Sequence, residues 1–443
     1  MPRPLDIVIC STPATGHVHP AVPIAHELIG RGQRVRWYTG RQFEPLVTAT
    51  GASWEPIVAA HDPADAPWRE RFPERNALDG LAGLRFDLEH LFLGEAVGQI
   101  ADLRRIDAAR PIDLLIADTA FVAASMWTEL TDRPYASYGI SVLPIPSRDV
   151  PPLGRGLLPR RHAAARAADR LAPLLTRVLF AGVQRHHNRV RGELGLGATR
   201  RSVFDAMTSP FLYLQGSTAS FEYPRSDLPE HVHFVGPLVP PPPAGYRRPA
   251  WWPELDDGRP VVVVTQGTVA DDAADLIAPT LQALAGDDVL VVAAGGEGGD
   301  DLPAGIPDNG RVERYVPFGE LLPHADVLVT NGGYGGVQMA LAAGVPLVVA
   351  GTTEDKPEVA ARVEWSGTGI NLRTKRPTPE QLAAAVRTVL RDPRYRNHAR
   401  RLQAEAQALD PARRSADLLE RLAAAVARPP AQVPGPRYPE RAA

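Results

Sequence analysis

Two histidines separated by one residue, His17 and His19, stand in the segment ATGHVHPAV, which comes after the apolar run LDIVIC. The apolar run predicts a strand, and the proline behind the histidines predicts a helix that starts near Pro20. The ring of His17 would then lie at the amino end of this helix, whose dipole favours the neutral imidazole that a general base requires. A metal site would need a further ligand that converges with the two rings. We therefore predict a base at His17 and a structural role at His19.

Asp118 ends a second apolar run, LLIAD, and should lie at the same edge of the sheet as His17. A carboxylate there can accept the other ring N–H of a histidine base and stabilise the imidazolium that forms when the base takes up a proton. The alternative is that Asp118 caps the helix of the segment TAFVAASMWTEL. The two roles are compatible, and both stay open at this point.

The segment TNGGYGGVQMALAAGVP, residues 330–346, has the order strand, glycine-rich turn and helix. Glycines let backbone N–H groups and the amino end of a helix approach an anion closely, so the segment predicts a phosphate-binding turn. It lacks the lysine of a Walker A loop, and the first strand-helix unit lacks the G-x-G-x-x-G spacing of a dinucleotide reader. A nicotinamide enzyme is therefore disfavoured.

Short apolar runs alternate with longer amphipathic segments in both halves of the chain, which predicts an α/β fold with two doubly wound parallel sheets. The ten predicted strands are 6–10, 34–40, 113–118, 134–139, 260–267, 289–295, 312–316, 326–332, 346–351 and 369–373. Thr378 as N-cap, Pro379 at the first helical position and Gln381 in a capping box predict a helix that follows them. The cleft between two such domains is the expected site, because ligands bind at the carboxyl ends of the strands.

The chain of 443 residues is long enough for two domains. Four consecutive prolines in 237–253 predict a stiff linker, which gives an amino-terminal domain over 1–236 and a carboxy-terminal domain over 254–427. A second proline-rich stretch, 428–443, predicts a poorly ordered tail. The arginine-rich segment 148–201 predicts a solvated helical insertion, with binding to a membrane surface or an acidic partner as the alternative.

The composition narrows the range of partners. The net charge is −3, from 48 basic and 51 acidic residues, which disfavours a nucleic-acid binder and favours small-molecule partners. The single cysteine, Cys10, excludes an intramolecular disulfide and is typical of a reducing compartment. No run is apolar for long enough to span a bilayer, and we predict a cytoplasmic protein. The sequence does not indicate the oligomeric state.

The motifs TGHVHP, ADTAF and TQGT, together with the block from Tyr315 to Lys356, resemble those of family 1 nucleotide-sugar-dependent glycosyltransferases of the GT-B fold. The pattern is most similar to that of bacterial enzymes that glycosylate natural products. The resemblance implies two Rossmann-like domains across a cleft, an acceptor site mainly in the first and a donor site mainly in the second. It also implies a carboxy-terminal helix that packs back across both.

By this resemblance His17 would deprotonate the acceptor hydroxyl and Asp118 would support it. Tyr315 would stack on the nucleotide base, the backbone of Val316 would read the base edge, and Asp355 would accept hydrogen bonds from sugar hydroxyls. The further donor-site residues implied are Gly267, Thr268, Asn331, Gly333, Tyr334, Gly335, Gly336, Val337 and Lys356. No resident cofactor or metal is implied, since a UDP- or dTDP-sugar is the co-substrate and no D-x-D triplet occurs in the chain.

Three positions depart from the family pattern. Asn331 stands where a histidine usually contacts the diphosphate, and Met339 stands where a glutamate usually holds the ribose. The thioether of Met339 is too weak an acceptor to hold a ribose hydroxyl, so the ribose must be held by another group or be a deoxyribose, and a dTDP-sugar becomes more plausible than usual. Lys356 replaces the glutamine that commonly follows the sugar-binding acid, and could contact a sugar hydroxyl, attract a carboxylate or point into solvent.

The sequence thus predicts an inverting, metal-independent transfer of a sugar to a hydroxyl of a small apolar natural product. Two alternatives stay open. The first is a non-catalytic auxiliary protein of the same fold, in which the changes at Asn331 and Met339 have weakened the donor site. The second is a sugar-nucleotide epimerase, which needs carboxylates on the sugar side of the cleft, where only Asp355 is an obvious candidate.

Overall fold

The computed structural model describes residues 3–78, 80–159, 176–243, 245–267, 275–295 and 305–426. The amino-terminal half contains a seven-stranded parallel sheet with the order β3-β2-β1-β4-β5-β6-β7. Its strands are β1 (Asp6–Cys10), β2 (Arg34–Tyr38), β3 (Ser53–Glu55), β4 (Leu114–Asp118), β5 (Tyr135–Gly139), β6 (Leu212–Gln215) and β7 (Val232–Phe234). The order reverses at β1 and β4, whose carboxyl ends carry the segments that contain His17 and Asp118.

The carboxy-terminal half contains a six-stranded parallel sheet with the order β10-β9-β8-β11-β12-β13. Its strands are β8 (Val261–Thr265), β9 (Leu290–Ala294), β10 (Gly310–Glu313), β11 (Val327–Thr330), β12 (Leu347–Val349) and β13 (Gly369–Asn371). The predicted α/β fold with two doubly wound sheets is confirmed. Strands β3, β6 and β7 were not predicted, because runs of three or four residues give little periodicity. The predicted strand 312–316 is wrong at its end, since β10 stops before Tyr315.

Helices cover both faces of the two sheets. In the amino-terminal half they are α1 (Thr15–Val18), α2 (Val22–Gly30), α3 (Glu44–Ala49), α4 (Trp68–Arg71), α5 (Gly80–Phe86), α6 (Ala96–Ala109), α7 (Ala123–Thr131), α8 (Ala181–Glu193) and α9 (Val203–Ala206). A π-helix, Asp87–Leu93, continues α5. In the remainder of the chain they are α10 (Ile277–Leu284), α11 (Phe318–Leu321), α12 (Tyr334–Ala342), α13 (Lys356–Ser366), α14 (Pro379–Arg391), α15 (Pro393–Leu409) and α16 (Pro411–Val426).

The sheets are buried on both faces, which explains why their strands are almost continuously apolar. Ile7 and Ile9 of β1 belong to one core cluster, and Val8 and Cys10 belong to the cluster on the opposite face. Successive side chains of a strand point to opposite faces, so a strand covered by helices on both sides is mostly apolar, and the buried Asp6 of β1 is paired with Arg36 of β2. Both halves therefore have a core on each side of the sheet.

The predicted capping box at α14 is confirmed. The Thr378 hydroxyl accepts from the backbone N–H of Gln381 at 3.3 Å, and the Gln381 side chain accepts from the backbone N–H of Thr378 at 2.9 Å. Both bonds satisfy N–H groups that have no partner within the helix.

The last helix returns to the amino-terminal half. Leu419 and Ala423 of α16 are buried in the same cluster as Ile7, and Arg31 forms ion pairs with Asp417 at 2.6 Å and with Glu420 at 2.9 Å. This arrangement agrees with the packing that the resemblance implies. The domain limits at 236 and 254 stay predictions, and the predicted tail 428–443 lies outside the described residues.

The arginine-rich segment 148–201 is not helical throughout. Residues 148–159 form no helix, residues 160–175 lie outside the described part of the chain, and α8 and the loop after it follow. Within the residues that the structure describes, no helix combines the length and the apolar character that crossing a membrane requires.

Candidate functional site

The carboxyl ends of the strands in both sheets open into one cleft. His17 lines the cleft from the amino-terminal half, and Tyr315, Asn331 and Asp355 line it from the carboxy-terminal half. The structure thus brings together side chains that the chain separates by 298 to 338 residues. A ligand between the halves can touch both groups.

His17 and Asp118 form a hydrogen-bonded pair at this cleft. The Nδ1 atom of His17 lies 3.0 Å from Oδ1 of Asp118. The carboxylate is fully buried, whereas the imidazole is 20% exposed. An ionised carboxylate only accepts, so Nδ1 carries the proton and the unprotonated nitrogen is Nε2. The structure thus places the two predicted residues in contact, and their roles as base and supporting acid stay predictions.

His17 lies inside a helical turn, which corrects the predicted helix start near Pro20. Helix α1 begins at Thr15, a 3₁₀ turn covers His19–Ala21, and α2 starts at Val22. The backbone carbonyl of His17 accepts from the Tyr138 hydroxyl at 2.8 Å. His19 is half-buried in the same turn and lines the cleft. The first helical turn, and not the loop before it, presents the base.

Asp118 does not cap the helix that follows it, because α7 begins only at Ala123. Instead, its carboxylate accepts hydrogen bonds from two backbone N–H groups. Oδ2 accepts from Thr12 at 2.5 Å, and Oδ1 accepts from Ala120 at 2.7 Å. The Thr12 hydroxyl adds a longer bond of 3.3 Å. These donors fix the carboxylate and stabilise its charge, since hydrogen bonds to ionised groups are the stronger ones.

The glycine-rich turn leads directly from β11 into α12. The N–H of Val337 closes the first turn on the carbonyl of Gly333 at 3.1 Å, and the Val337 side chain is buried in the core. The N–H groups of 334–336 precede that bond and have no acceptor within the helix. These three amides are therefore the groups that we predict to bind the diphosphate. The N–H of Val337 is used within the helix, and its side chain packs in the core.

The side chain of Asn331 braces two strand-end loops. Its Nδ2 donates to the carbonyl of Gln266, and its Oδ1 accepts from the N–H of Gly333 at 3.2 Å. Gly267 follows with φ of +76°, a conformation that glycine adopts without strain. Thr268, also predicted for this site, lies outside the described residues. Asn331 thus shapes the glycine-rich turn and retains at most one N–H for a ligand.

Tyr334 was predicted as a donor-site residue, but its side chain points elsewhere. The ring is buried, and its hydroxyl accepts from Nε2 of Gln215, at the end of β6, at 2.6 Å. A Cβ atom at Gly335 would meet nothing within 4 Å, so the turn is open beside it. Tyr334 can contribute its backbone N–H to an anion while its side chain joins the halves.

Tyr315 and Val316 follow β10 at the cleft. The Tyr315 ring is 46% exposed and packs edge-to-face against Tyr246, with ring centroids 6.5 Å apart. Val316 is buried, so only its backbone faces the cleft. Met339 is half-buried against the core of this half and also lines the cleft. An exposed aromatic face at this position suits base stacking.

Asp355 lies where the two halves touch, directly before α13. Its Oδ2 accepts from the hydroxyl of Ser141, in the loop after β5. Burial raises the pKa of Asp355 above its ordinary value, while the bond from Ser141 and the charge of Lys356 act in the opposite direction. Lys356 pairs with Glu354, and its side chain is only 12% exposed, so it does not extend into solvent.

Comparison with known proteins identifies relatives over the whole chain. The model of the erythromycin biosynthesis protein CIII-like C-terminal domain matches residues 278–422. The 4'-demethylrebeccamycin synthase of Lentzea aerocolonigenes is 46% identical over 418 residues, which cover 94% of this chain and 99% of that protein. UDP-glycosyltransferase 2 of Phaeomoniella chlamydospora is 34% identical over 436 residues, covering 95% and 96%. The chain belongs to the nucleotide-sugar-dependent glycosyltransferases.

The fold of this glycosyltransferase agrees with solved structures. The crystal structure of the kitacinnamycin glycotransferase superposes with a TM-score of 0.74 at 24% identity and covers 95% of this chain and 100% of that chain. CalG4, the calicheamicin glycosyltransferase, superposes with a TM-score of 0.71 at 23% identity, covering 96% and 100%. These superpositions establish the GT-B fold, and the sequence relatives establish the enzymatic class. The auxiliary-protein and epimerase alternatives lose their support.

The amino-terminal half of the glycosyltransferase forms an apolar wall of the cleft that the motifs did not indicate. Leu81 and Leu84 of α5, with Leu88 and Leu91 of the π-helix, line the cleft at helical spacing. Leu81 is 38% exposed and Leu84 is 45% exposed. Leucines that stay exposed on a cleft are candidates for contact with an apolar ligand.

His187 of α8 also lines the cleft, although it is almost completely buried. Neither of its ring nitrogens has a hydrogen-bond partner among the residues that the structure describes. Burial, with a further contribution from the charge of Arg191, lowers the pKa of His187 to about 4. Arg191 in turn pairs with Glu129 through two bonds of 2.7 and 2.8 Å. His187 is therefore neutral near pH 7.

This histidine should make the free energy of unfolding depend on pH. The unfolded chain protonates His187 near pH 6.5, whereas the folded chain resists protonation until about pH 4, so stability falls as pH falls between these values. The loss attributable to His187 is at most about 3 kcal/mol. Urea unfolding of wild type and His187→Phe at several pH values measures this loss of the free energy of unfolding. The variant should show a shallower decline, and an identical decline would contradict a neutral buried His187.

Among the described residues, no group of three or more His, Cys, Asp or Glu side chains could hold a metal ion. The prediction of metal-independent transfer is not tested by this finding and stays a prediction.

Proposed function

We propose that this glycosyltransferase moves a sugar from a UDP- or dTDP-sugar to a hydroxyl of a small apolar acceptor, with inversion at the anomeric carbon. The observation that supports the proposal best is the hydrogen-bonded pair of His17 and Asp118 at the cleft. The glycine-rich turn at the start of α12 lies on the same cleft. One side offers a base, and the other offers an anion site.

The proton path follows from the tautomer of His17. Nδ1 donates to Asp118, so Nε2 accepts the proton of the acceptor hydroxyl as its oxygen attacks the anomeric carbon. The bond between that carbon and the diphosphate oxygen breaks as the new carbon–oxygen bond forms on the opposite face. The resulting imidazolium is stabilised by the carboxylate of Asp118, which supports the step electrostatically.

The leaving diphosphate would be received by the amides of 334–336. Charge develops on the phosphate oxygens as the bond breaks, and preorganised N–H groups at a helix start stabilise such charge without reorganising. Asn331 supports the turn by holding Gly333 and Gln266. In this proposal the backbone and the helix dipole take the place of a cation.

Asp355 would bind hydroxyls of the transferred sugar. Its Oδ2 accepts from Ser141, so Oδ1 is the atom with the larger free capacity. The raised pKa of Asp355 means that the carboxylate loses its charge at a higher pH than an ordinary aspartate. The apolar wall formed by Leu81, Leu84, Leu88 and Leu91 supports an apolar acceptor.

The nucleotide is the part of the donor on which two observations disagree. Several relatives carry UDP in their names, such as UDP-glucosyltransferase A1 of Starmerella bombicola, 32% identical over 91% of this chain. Met339, however, cannot accept from a ribose hydroxyl. We expect the 2'-hydroxyl to contribute little here, so that UDP and dUDP bind within about threefold of each other.

Calorimetric titration of the protein with UDP, dUDP, dTDP and GDP measures this directly. The matched variant Met339→Glu restores a carboxylate acceptor, and we expect it to favour UDP over dUDP by about tenfold or more. A strong preference of the wild type for UDP over dUDP would mean that another group holds the ribose. Failure of all four nucleotides to bind would overturn the proposed donor.

Product stereochemistry tests the transfer itself. With an α-linked donor sugar, NMR of the product should show a β linkage, and transfer should survive excess chelator. An α-linked product would exclude the direct displacement proposed for His17.

A further inference from the structure

Helix α13 extends from the sugar side of the cleft into the contact between the two halves. Asp355 and Lys356 stand at its first turn, beside Ser141 of the amino-terminal half. Glu358 in the same turn and Arg362 one turn further along are both buried, with exposures of 4% and 0%. Two ionisable side chains with so little exposure must be matched by partners.

The partners of Glu358 are three consecutive amides of the amino-terminal half. Its Oε1 accepts from the N–H groups of Gly154, Arg155 and Gly156 at 2.7, 3.0 and 2.8 Å. Successive N–H groups that converge on one point form an anion-binding concavity, here filled by a carboxylate from the other half. Gly154 and Gly156 both have positive φ, which produces this convergence.

The loop that carries these amides fits tightly against α13. A Cβ atom at Gly156 would lie 2.5 Å from the carbonyl oxygen of Pro357, closer than real Cβ contacts permit. Gly156 therefore has two reasons to be glycine, its φ of +58° and this approach. The contact lies one residue from Lys356 and two from Asp355.

Arg362 connects the same helix to a second part of the amino-terminal half. Its Nε donates to Glu222 at 2.7 Å, and its Nη1 donates to Glu358 at 3.1 Å. The other oxygen of Glu222 accepts from the N–H of Leu143 at 2.8 Å. Leu143 belongs to the loop that carries Ser141, the partner of Asp355. The guanidinium also lies 4.3 Å from the centre of the Tyr223 ring.

These contacts define the position of Asp355 from both sides. The amides of 154–156 and Glu222 hold α13 in place, and Glu222 also holds the loop of Ser141. A buried ion pair often adds little net stability relative to an apolar pair, but it specifies one geometry, and removing one partner leaves a charge without compensation. The network thus suits positioning better than stabilisation.

We infer that Glu358 and Arg362 are positioning residues for the donor sugar, acting through Asp355. The inference rests on the proposed role of Asp355 in binding sugar hydroxyls. In the proposed function the nucleotide would be held by Tyr315 and the turn of α12, within the carboxy-terminal half. Loss of the positioning contacts should therefore weaken binding of the sugar and leave binding of the free nucleotide diphosphate unchanged.

Two variants test the inference, Glu358→Gln at the buried carboxylate and Gly156→Ala in the loop. Each should raise KM for the nucleotide sugar about tenfold and lower kcat, since hydrogen bonds to a charged group are lost or strained. The Kd for UDP alone, or for dTDP if that nucleotide binds better, should stay within about twofold of wild type. Arg362→Lys keeps the positive charge, so its effect on KM and kcat should be smaller than that of Glu358→Gln.

Matched controls separate positioning from loss of stability. Arg36→Met breaks a buried pair with Asp6 inside the amino-terminal half, and Gly195→Ala strains a positive φ where nothing lies within 4 Å. Both should lower Tm without changing KM for the donor. The inference is overturned if Glu358→Gln and Gly156→Ala lower Tm but leave donor KM at the wild-type value. A wild type that transfers no sugar would instead reject the proposed function.

Discussion

Replacement of His17 by alanine is expected to lower kcat by about 10²- to 10⁴-fold, the usual contribution of a general base. The reason is that Nε2 of His17 is the basic atom that the pair with Asp118 leaves on the cleft side. Binding of the nucleotide should be unchanged, because the predicted donor residues belong to the other half. Initial rates with saturating donor and acceptor, together with calorimetric binding of the nucleotide, measure the two effects.

His19→Ala is the matched control for this experiment. It removes a ring of the same type from the same turn, where we predict a structural role. We expect His19→Ala to lower stability more than it lowers kcat. Equal losses of kcat in the two variants would argue that the turn as a whole matters, and an active His17→Ala enzyme would remove His17 as the base.

Replacement of Asp118 by asparagine is expected to lower kcat by a similar factor of about 10²- to 10⁴-fold. The carboxylate accepts from the N–H of Thr12 on one oxygen and from Ala120 and His17 on the other. An amide has an NH₂ group in place of one oxygen, so one of these donors would face another donor. The variant also loses the charge that stabilises the imidazolium and fixes the tautomer.

The readout that distinguishes support of the base from stability is the pH profile. Loss of the carboxylate should shift the acidic limb of the kcat profile of Asp118→Asn, because the imidazolium is no longer stabilised. Asp102→Asn is a matched control, since Asp102 is 1% exposed and accepts from the N–H groups of Val58 and Ala59. It should lose stability without shifting the profile. A shift in both variants would contradict the specific role of Asp118.

Local patterns predicted those parts of the enzyme that depend on neighbouring residues. The capping box of Thr378 and Gln381 closes over three residues, and ten of the strands are apolar runs with a clear beginning and end. The strand, glycine turn and helix around Gly333 follow from the same kind of signal. The pairing of His17 with Asp118 was also predictable, because both follow strands of one parallel sheet and such strands end at one edge.

The predictions of secondary structure were wrong where the sequence pattern was short or fitted more than one element. The strands β3, β6 and β7 are too short for a clear alternation, and α7 begins four residues after the position that an N-cap at Asp118 would require. The arginines of 148–159 suggested a helix, yet the glycines at 154 and 156 curve that loop around Glu358. A carboxylate from another part of the chain decided this conformation.

The amino-acid sequence by itself determined the two-sheet architecture, the class of enzyme and the pairing of His17 with Asp118. The tertiary structure alone decided how the halves meet. Ser141 and Asp355 are separated by 214 residues, Gln215 and Tyr334 by 119, and Gly156 and Glu358 by 202. These contacts have no periodicity, because each depends on where two separately folded surfaces come together. The same holds for α16, whose amphipathic pattern predicts a buried face but cannot name the sheet that covers it.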